Sequence, residues 1–105
     1  EENLKSGIQL IEIEKLLRDL IKDRGYGDYY VTGFTHGIGL LTEEDPITTI
    51  VAPHRRYKAV ENMVLASVHA PITVPGVGTV KLEDTYVVGT EKSERLTRFD
   101  YEIVK

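Results

Sequence analysis

The chain has 105 residues, a formal charge of −4, 29% charged and 41% hydrophobic residues. That suits one soluble globular domain or part of one and excludes a disordered tail, and the absence of cysteine excludes disulfides and thiolate zinc sites. No basic block points to nucleic acid, no apolar run approaches a membrane span and no charged-then-apolar leader opens the chain, so the expected setting is the cytoplasm, with no nucleic acid and no membrane as partner.

The first predicted element is a helix over residues 10–24. Leu10, Ile13, Leu17, Leu20 and Ile21 recur at spacings of three and four, with Glu12, Glu14, Lys15, Arg18, Asp19 and Lys22 on the other faces. Gln9 with Glu12 is a weak capping-box echo, and Gly25 and Gly27 stop the helix. A loop rich in glycine and aromatics then feeds a strand predicted over 35–41, where glycines mark a bulge or a close backbone approach. Residues 42–46 (TEEDP) read as loop, 47–51 as extended, and 52–62 as a surface loop whose His54, Arg55 and Arg56 form a solvated basic cluster. An apolar strand follows over 63–69, a turn carried by Pro71, Pro75, Gly76 and Gly78, a long strand over 79–88, a turn over 89–94, and a closing extended segment over 95–104. One helix followed by mostly antiparallel strands predicts the α+β class, with residues 1–105 as a single, partial domain.

The stretch VPGVGTVKLEDTYVV, residues 74–88, poses the functional question. Thr79, Lys81, Glu83 and Thr85 share one face of the strand, and Asp84 points to the other, so Glu83 and Asp84 pair poorly as a two-carboxylate catalyst. Read alone, the Glu83 face is solvated, His69 is a neutral histidine satisfied by a carbonyl, and His36 is structural.

Taken together, GYGDYYVTGFTHGIGL (25–40), ENMVLASVHAPITVPGVG (61–78) and TVKLEDTYVV (79–88) change this reading. In order and spacing they resemble the prolidase, aminopeptidase P and methionine aminopeptidase family, which has the creatinase or "pita-bread" fold. Residues 5–30 resemble the helical segment that precedes the first run. The resemblance implies a curved, mostly antiparallel sheet behind one helix, corresponding to the C-terminal half of the catalytic domain of an Xaa-Pro dipeptidase-like protein. It also implies two divalent metals held by two aspartates, one histidine and two glutamates, activating a water. Carried over by position, His36 matches the histidine ligand and Glu83 the last glutamate, while His69 stands in place of the other glutamate. Glu43 stands in place of a second histidine that helps position substrate, and Lys81 in place of an arginine. The two aspartates would lie upstream of the helix, beyond Glu1; the chain opens there without a methionine and is expected to be a trimmed or excised piece.

What remains implies a metallopeptidase-like segment with an incomplete two-metal site, inactive in isolation, or else a non-catalytic peptide- or protein-binding domain. His36, His69 and Glu83 would suit one divalent ion such as zinc, manganese or cobalt. Half of such a fold would expose a sheet edge and an apolar face, so the expected partner is a second copy or a complementary N-terminal half, with peptide as a possible ligand.

Overall fold

The computed structural model describes residues 1–99. The apolar stripe of the first segment forms helix α1, Leu10–Asp23, with Gln9 as its N-cap and Arg24 as its C-cap. The Glu12 carboxylate accepts the Gln9 N–H at 3.2 Å, one arm of the capping box. Five strands follow: β1 (Thr35–Gly37), β2 (Glu44–Ile47), β3 (Val64–Val74), β4 (Gly78–Val87) and β5 (Glu94–Arg95). They form one curved antiparallel sheet in the order β2-β1-β3-β4-β5, so the predicted α+β architecture is present.

The core lies between α1 and the centre of the sheet. Leu10 and Ile13 of the helix meet Leu65 of β3 and Tyr86 of β4, with Leu4, Ala59 and Val88 closing the ends. Each fully buried leucine side chain here contributes about 1.5–3 kcal/mol relative to exposure. The other end of α1 is less well covered. Leu17, Leu20 and Ile21 face Phe34, Val68, Ala70, Ile72, Val80 and Leu82 across an apolar groove of about 140 Å³. Leu20 and Leu82 remain 48% and 47% exposed there, so the expected uncovered apolar face exists.

Several boundaries differ from the sequence reading. β1 stops at Gly37 instead of residue 41, because Glu44 folds back and its carboxylate accepts the Leu41 N–H at 2.7 Å, closing a turn that leaves Leu40 and Leu41 exposed. The predicted loop 42–46 contains most of β2, an edge strand, where Pro46 is tolerated because one side of the backbone has no partner strand. Of the predicted extended segment 47–51 only Ile47 is in a strand, and the chain then turns, with the Val51 N–H on the Ile47 carbonyl. The basic cluster sits on a 3₁₀ turn, Ala52–Arg56, and is not simply solvated. The His54 Nδ1 accepts the Ile47 N–H at 2.9 Å, and the Arg55 Nε donates to the Thr48 carbonyl at 2.9 Å. Arg55 also stands 3.5 Å from the buried carboxylate of Glu14, tying α1 to the β2 end of the sheet.

β3 is longer than predicted and runs through Pro71, which pairs with Lys81. β1 pairs only with residues 65–67 of β3, so that flank of Pro71 lies beyond the end of β1 and needs no N–H for it. β4 matches its prediction within a residue. Of the closing segment predicted over 95–104, only Arg95 is in a strand among the described residues, as the end of β5, and residues 100–104 lie outside the described residues. Among the described residues no helix is long and apolar enough to cross a membrane.

Candidate metal centre

The sheet face away from α1 carries the chemistry. Pairing His36 with Ala66, and Ala66 with Thr85, puts these three side chains on that face, together with Glu83 and Lys81 by strand alternation. Simple alternation along β3 would turn His69 the other way, onto the face of Leu65 and Ser67. A β-bulge prevents this. Ser67 pairs with Asp84 and Ala70 with Leu82, so Val68 and His69 together stand opposite Glu83. Val68 takes the extra step at φ 66°, a left-handed conformation that costs a β-branched residue about 1–2 kcal/mol. The strain delivers His69 to the side where His36 and Glu83 already point. The same bulge lets the His69 N–H reach the Phe34 carbonyl at 3.1 Å.

His36 is buried. Its Nδ1–H donates to the Gly37 carbonyl at 2.9 Å, which fixes the ring and turns Nε2 toward the cluster. Nε2 lies 2.9 Å from Glu83 Oε1. The other Glu83 oxygen is 3.2 Å from Lys81 Nζ and 3.9 Å from His69 Nε2. His69 meets the His36 ring edge-on at a centroid distance of 4.9 Å, and its Nδ1 is buried without a hydrogen-bond partner among the described residues. Among the described residues no carbonyl satisfies that nitrogen. From the β1–β2 loop, Glu43 completes the group: one ligand atom each from His36, Glu43 and His69 lie within 4.8 Å of one another. The four residues singled out in the sequence therefore come together, with Glu43 beside the two imidazoles. Asp84 is on the far face, as alternation predicted; it is buried, accepts a hydrogen bond from the Thr97 hydroxyl and lies 3.5 Å from Arg95.

Burial opposes the charged form of Glu83, but hydrogen bonds from Lys81 and His36 and the nearby positive charge outweigh it and hold the carboxyl below its ordinary 4.5. For His69 burial is the largest influence and wins over the pull of Glu83, setting the imidazole below 6.5. Both shifts work in the same direction. An unfolded chain takes up the His69 proton as pH falls through 6.5, before the folded chain does, so stability present above 6.5 is lost below it; the Glu83 contribution, present above 4.5, is lost as pH falls further. In chelator-treated protein, urea midpoints should therefore hold level above about pH 6.5, fall as pH drops below it, and fall further below about 4.5. The His69→Gln variant should show a flatter decline in the upper of these two steps. An unchanged slope in that variant would contradict the assignment.

Comparison with known proteins gives the family. Residues 1–90 match the family described as metallopeptidase family M24. The Xaa-Pro dipeptidase of Pyrococcus furiosus is 31% identical over 103 residues, spanning 98% of this chain and 28% of that protein. The Xaa-Pro dipeptidase of Pyrococcus horikoshii is 32% identical over the same share. Among solved structures, the prolidase from Pyrococcus furiosus superposes with a TM-score of 0.82 at 31% identity, over 94% of this chain and 28% of that one. The Xaa-Pro dipeptidase from Bacillus anthracis gives 0.82 at 32% identity, over 98% and 28%. The chain thus spans little more than a quarter of the length of these relatives, and its sheet is part of a pita-bread fold.

Proposed function

Because the chain belongs to metallopeptidase family M24, we propose that it is a segment of an Xaa-Pro dipeptidase-related protein that does not, as this chain, hydrolyse peptides through a metal pair. The observation that carries this reading is the donor set. Paired-ion chemistry needs a carboxylate that bridges both ions. At the position where the resemblance calls for one of these carboxylates the chain has His69, whose single free ring nitrogen cannot span two ions. Both oxygens of the remaining glutamate, Glu83, already face nitrogen groups of the chain, His36 on one side and Lys81 on the other. These residues do not fit a metal pair, and no hydrolytic step is assigned to one.

The apolar groove supports a second reading, that of an interaction module. Its exposed Leu20, Val80 and Leu82 need a cover, and under this proposal the cover is polypeptide from the part of a longer protein that residues 1–105 do not include. One experiment addresses both readings. The purified chain is incubated with Xaa-Pro dipeptides and with N-terminal methionyl peptides in the presence of cobalt or manganese, and its mass in solution is measured. No turnover above that of a His36→Ala variant is expected. Metal-dependent turnover that this variant abolishes would overturn the proposal. A chain that stays monomeric, with its groove exposed at concentrations where such surfaces associate, would count against the interaction reading alone.

A further inference from the structure

We propose that this chain binds a single divalent transition-metal ion of the zinc type, held by His36, His69 and Glu43, in place of a metal pair. The inference goes beyond the reading above, since it rests on the convergence of three side chains whether or not the chain ever belonged to a working peptidase.

The three ligand atoms lie within 4.8 Å of one another. Around a tetrahedral zinc ion, with bonds of about 2.0–2.2 Å, neighbouring ligand atoms stand roughly 3.3–3.5 Å apart. The group must therefore contract by up to about 1.5 Å, and it is built to do so from one side. The two imidazoles are fixed by the sheet: His36 on β1, its ring held through Nδ1 on the Gly37 carbonyl, and His69 on the β3 bulge, anchored through its backbone on Phe34. Such a backbone-held histidine presents the other nitrogen's lone pair to an ion in a fixed direction. Glu43, by contrast, is exposed on the short loop between β1 and β2, where its side chain can swing inward without disturbing the core.

His69 supplies an independent observation. Its Nδ1 is buried with no hydrogen-bond partner among the described residues, and its Nε2 is 3.9 Å from Glu83, beyond a good hydrogen bond. A buried polar ring that makes so little use of its nitrogens is costly, and an ion would satisfy the one that turns to it. Two imidazoles and one carboxylate make a donor set of intermediate softness, which suits zinc and also cobalt or ferrous iron, and disfavours calcium and magnesium. Three protein ligands with an exposed third member leave at least one coordination position open to water or a small ligand.

Glu83 explains why the count is one. Oε1 accepts the His36 Nε2–H at 2.9 Å, so the ion takes that nitrogen as its proton leaves to solvent, while Oε2 keeps Lys81 at 3.2 Å. The ammonium group then occupies the flank where a second cation would have to sit, and like charges disfavour it. Glu83 acts as a positioning residue that holds the His36 ring and lends negative charge, and Glu43 is the third ligand.

Titration decides this. Tag-free, chelator-stripped chain is titrated with zinc chloride by calorimetry, and with cobalt chloride by visible absorbance. One equivalent of zinc is expected, with a cobalt spectrum of low-symmetry, nitrogen-containing coordination. His36→Ala and His69→Ala should each abolish the transition. Because a buried histidine variant can also fail to fold, Glu43→Gln is the deciding variant: its side chain is exposed, its fold should be intact by circular dichroism, and its zinc affinity should fall by about tenfold or more. Glu83→Gln should weaken binding less than Glu43→Gln. Two equivalents of zinc, zinc binding indifferent to Glu43→Gln, or a larger loss from Glu83→Gln than from Glu43→Gln would each overturn the proposal.

Discussion

Replacing Phe34 with alanine should lower the free energy of unfolding by about 3–5 kcal/mol, toward the lower end of that range. The ring is 2% exposed and stacks on Tyr30 with centroids 5.7 Å apart and planes 20° from parallel. It forms the floor of the groove between α1 and the sheet, touching the region of Leu17, Leu20 and Ile21 on one side and Ala70 and Ile72 on the other. Deleting it removes the transfer energy of an aromatic side chain and leaves a hollow that joins the existing groove of about 140 Å³. Because that groove is open on one side, water can enter and neighbouring side chains can lean in, which keeps the cost below that of a sealed cavity. A chain of this size has a folding free energy of about 5–15 kcal/mol at most, so the variant should sit near the edge of folding. Urea unfolding followed by circular dichroism would measure it as a shift in midpoint at constant slope. A loss below about 1 kcal/mol would mean that the ring is not part of the packed interior. The effect should also reach the candidate metal site, since the Phe34 carbonyl receives the His69 N–H at 3.1 Å.

The parts of the fold written in periodic apolar patterns were legible in the sequence, and the parts made by pairing were not. Leu10, Ile13 and Leu17 recur at helical spacing, and α1 lies where they place it. β4 follows its alternation, with Lys81 and Glu83 on one face and Val80 and Leu82 lining the groove on the other. β2 was illegible because Glu44, Asp45 and Pro46 have little strand propensity of their own; the strand exists because β1 offers partners on its open edge. The opposite error came at residues 38–41, where apolar residues and glycines suggested a strand that a single carboxylate, Glu44, folds into a turn. The β3 bulge leaves no signal at all. Ser67, Val68, His69 and Ala70 contain neither glycine nor proline, and the added step becomes visible only as a register shift against β4. At the site, the family resemblance pointed to His36, His69, Glu83 and Glu43, and all four converge. What position alone could not show is that the two departures, an imidazole at 69 and a carboxylate at 43, fall close enough to act as one group. The pair of positions keeps one of each donor type with their places exchanged.

The Gly37→Ala variant tests how tightly that group depends on the β1–β2 contact, and we expect a stability loss of about 1–3 kcal/mol together with weakened zinc binding. A β-carbon at residue 37 would lie 2.5 Å from the Asp45 carbonyl oxygen and 3.0 Å from that of Glu44. Both are backbone atoms of β2, so no side-chain rotation relieves the clash, and the two strands must separate. The register shift already present between His36 and Gly37 leaves little slack for this. Separation disturbs the site twice. The Gly37 carbonyl moves, releasing the hydrogen bond that orients the His36 ring, and β2 withdraws, carrying with it the end of the loop that bears Glu43. Gly39→Ala is the informative contrast. There the new β-carbon meets the carboxylate of Glu44, the far end of a flexible side chain, which can turn away at the expense of its hydrogen bond to Leu41. Gly39→Ala should therefore cost less stability than Gly37→Ala. Chemical denaturation ranks the two variants, and zinc titration of each reports on the site. If Gly37→Ala unfolds at the same midpoint as the parent chain, the close approach of β1 and β2 is wrong. If it is destabilised but binds zinc with undiminished affinity, the strand contact is right, but it is not what holds His36 and Glu43 in reach of one ion.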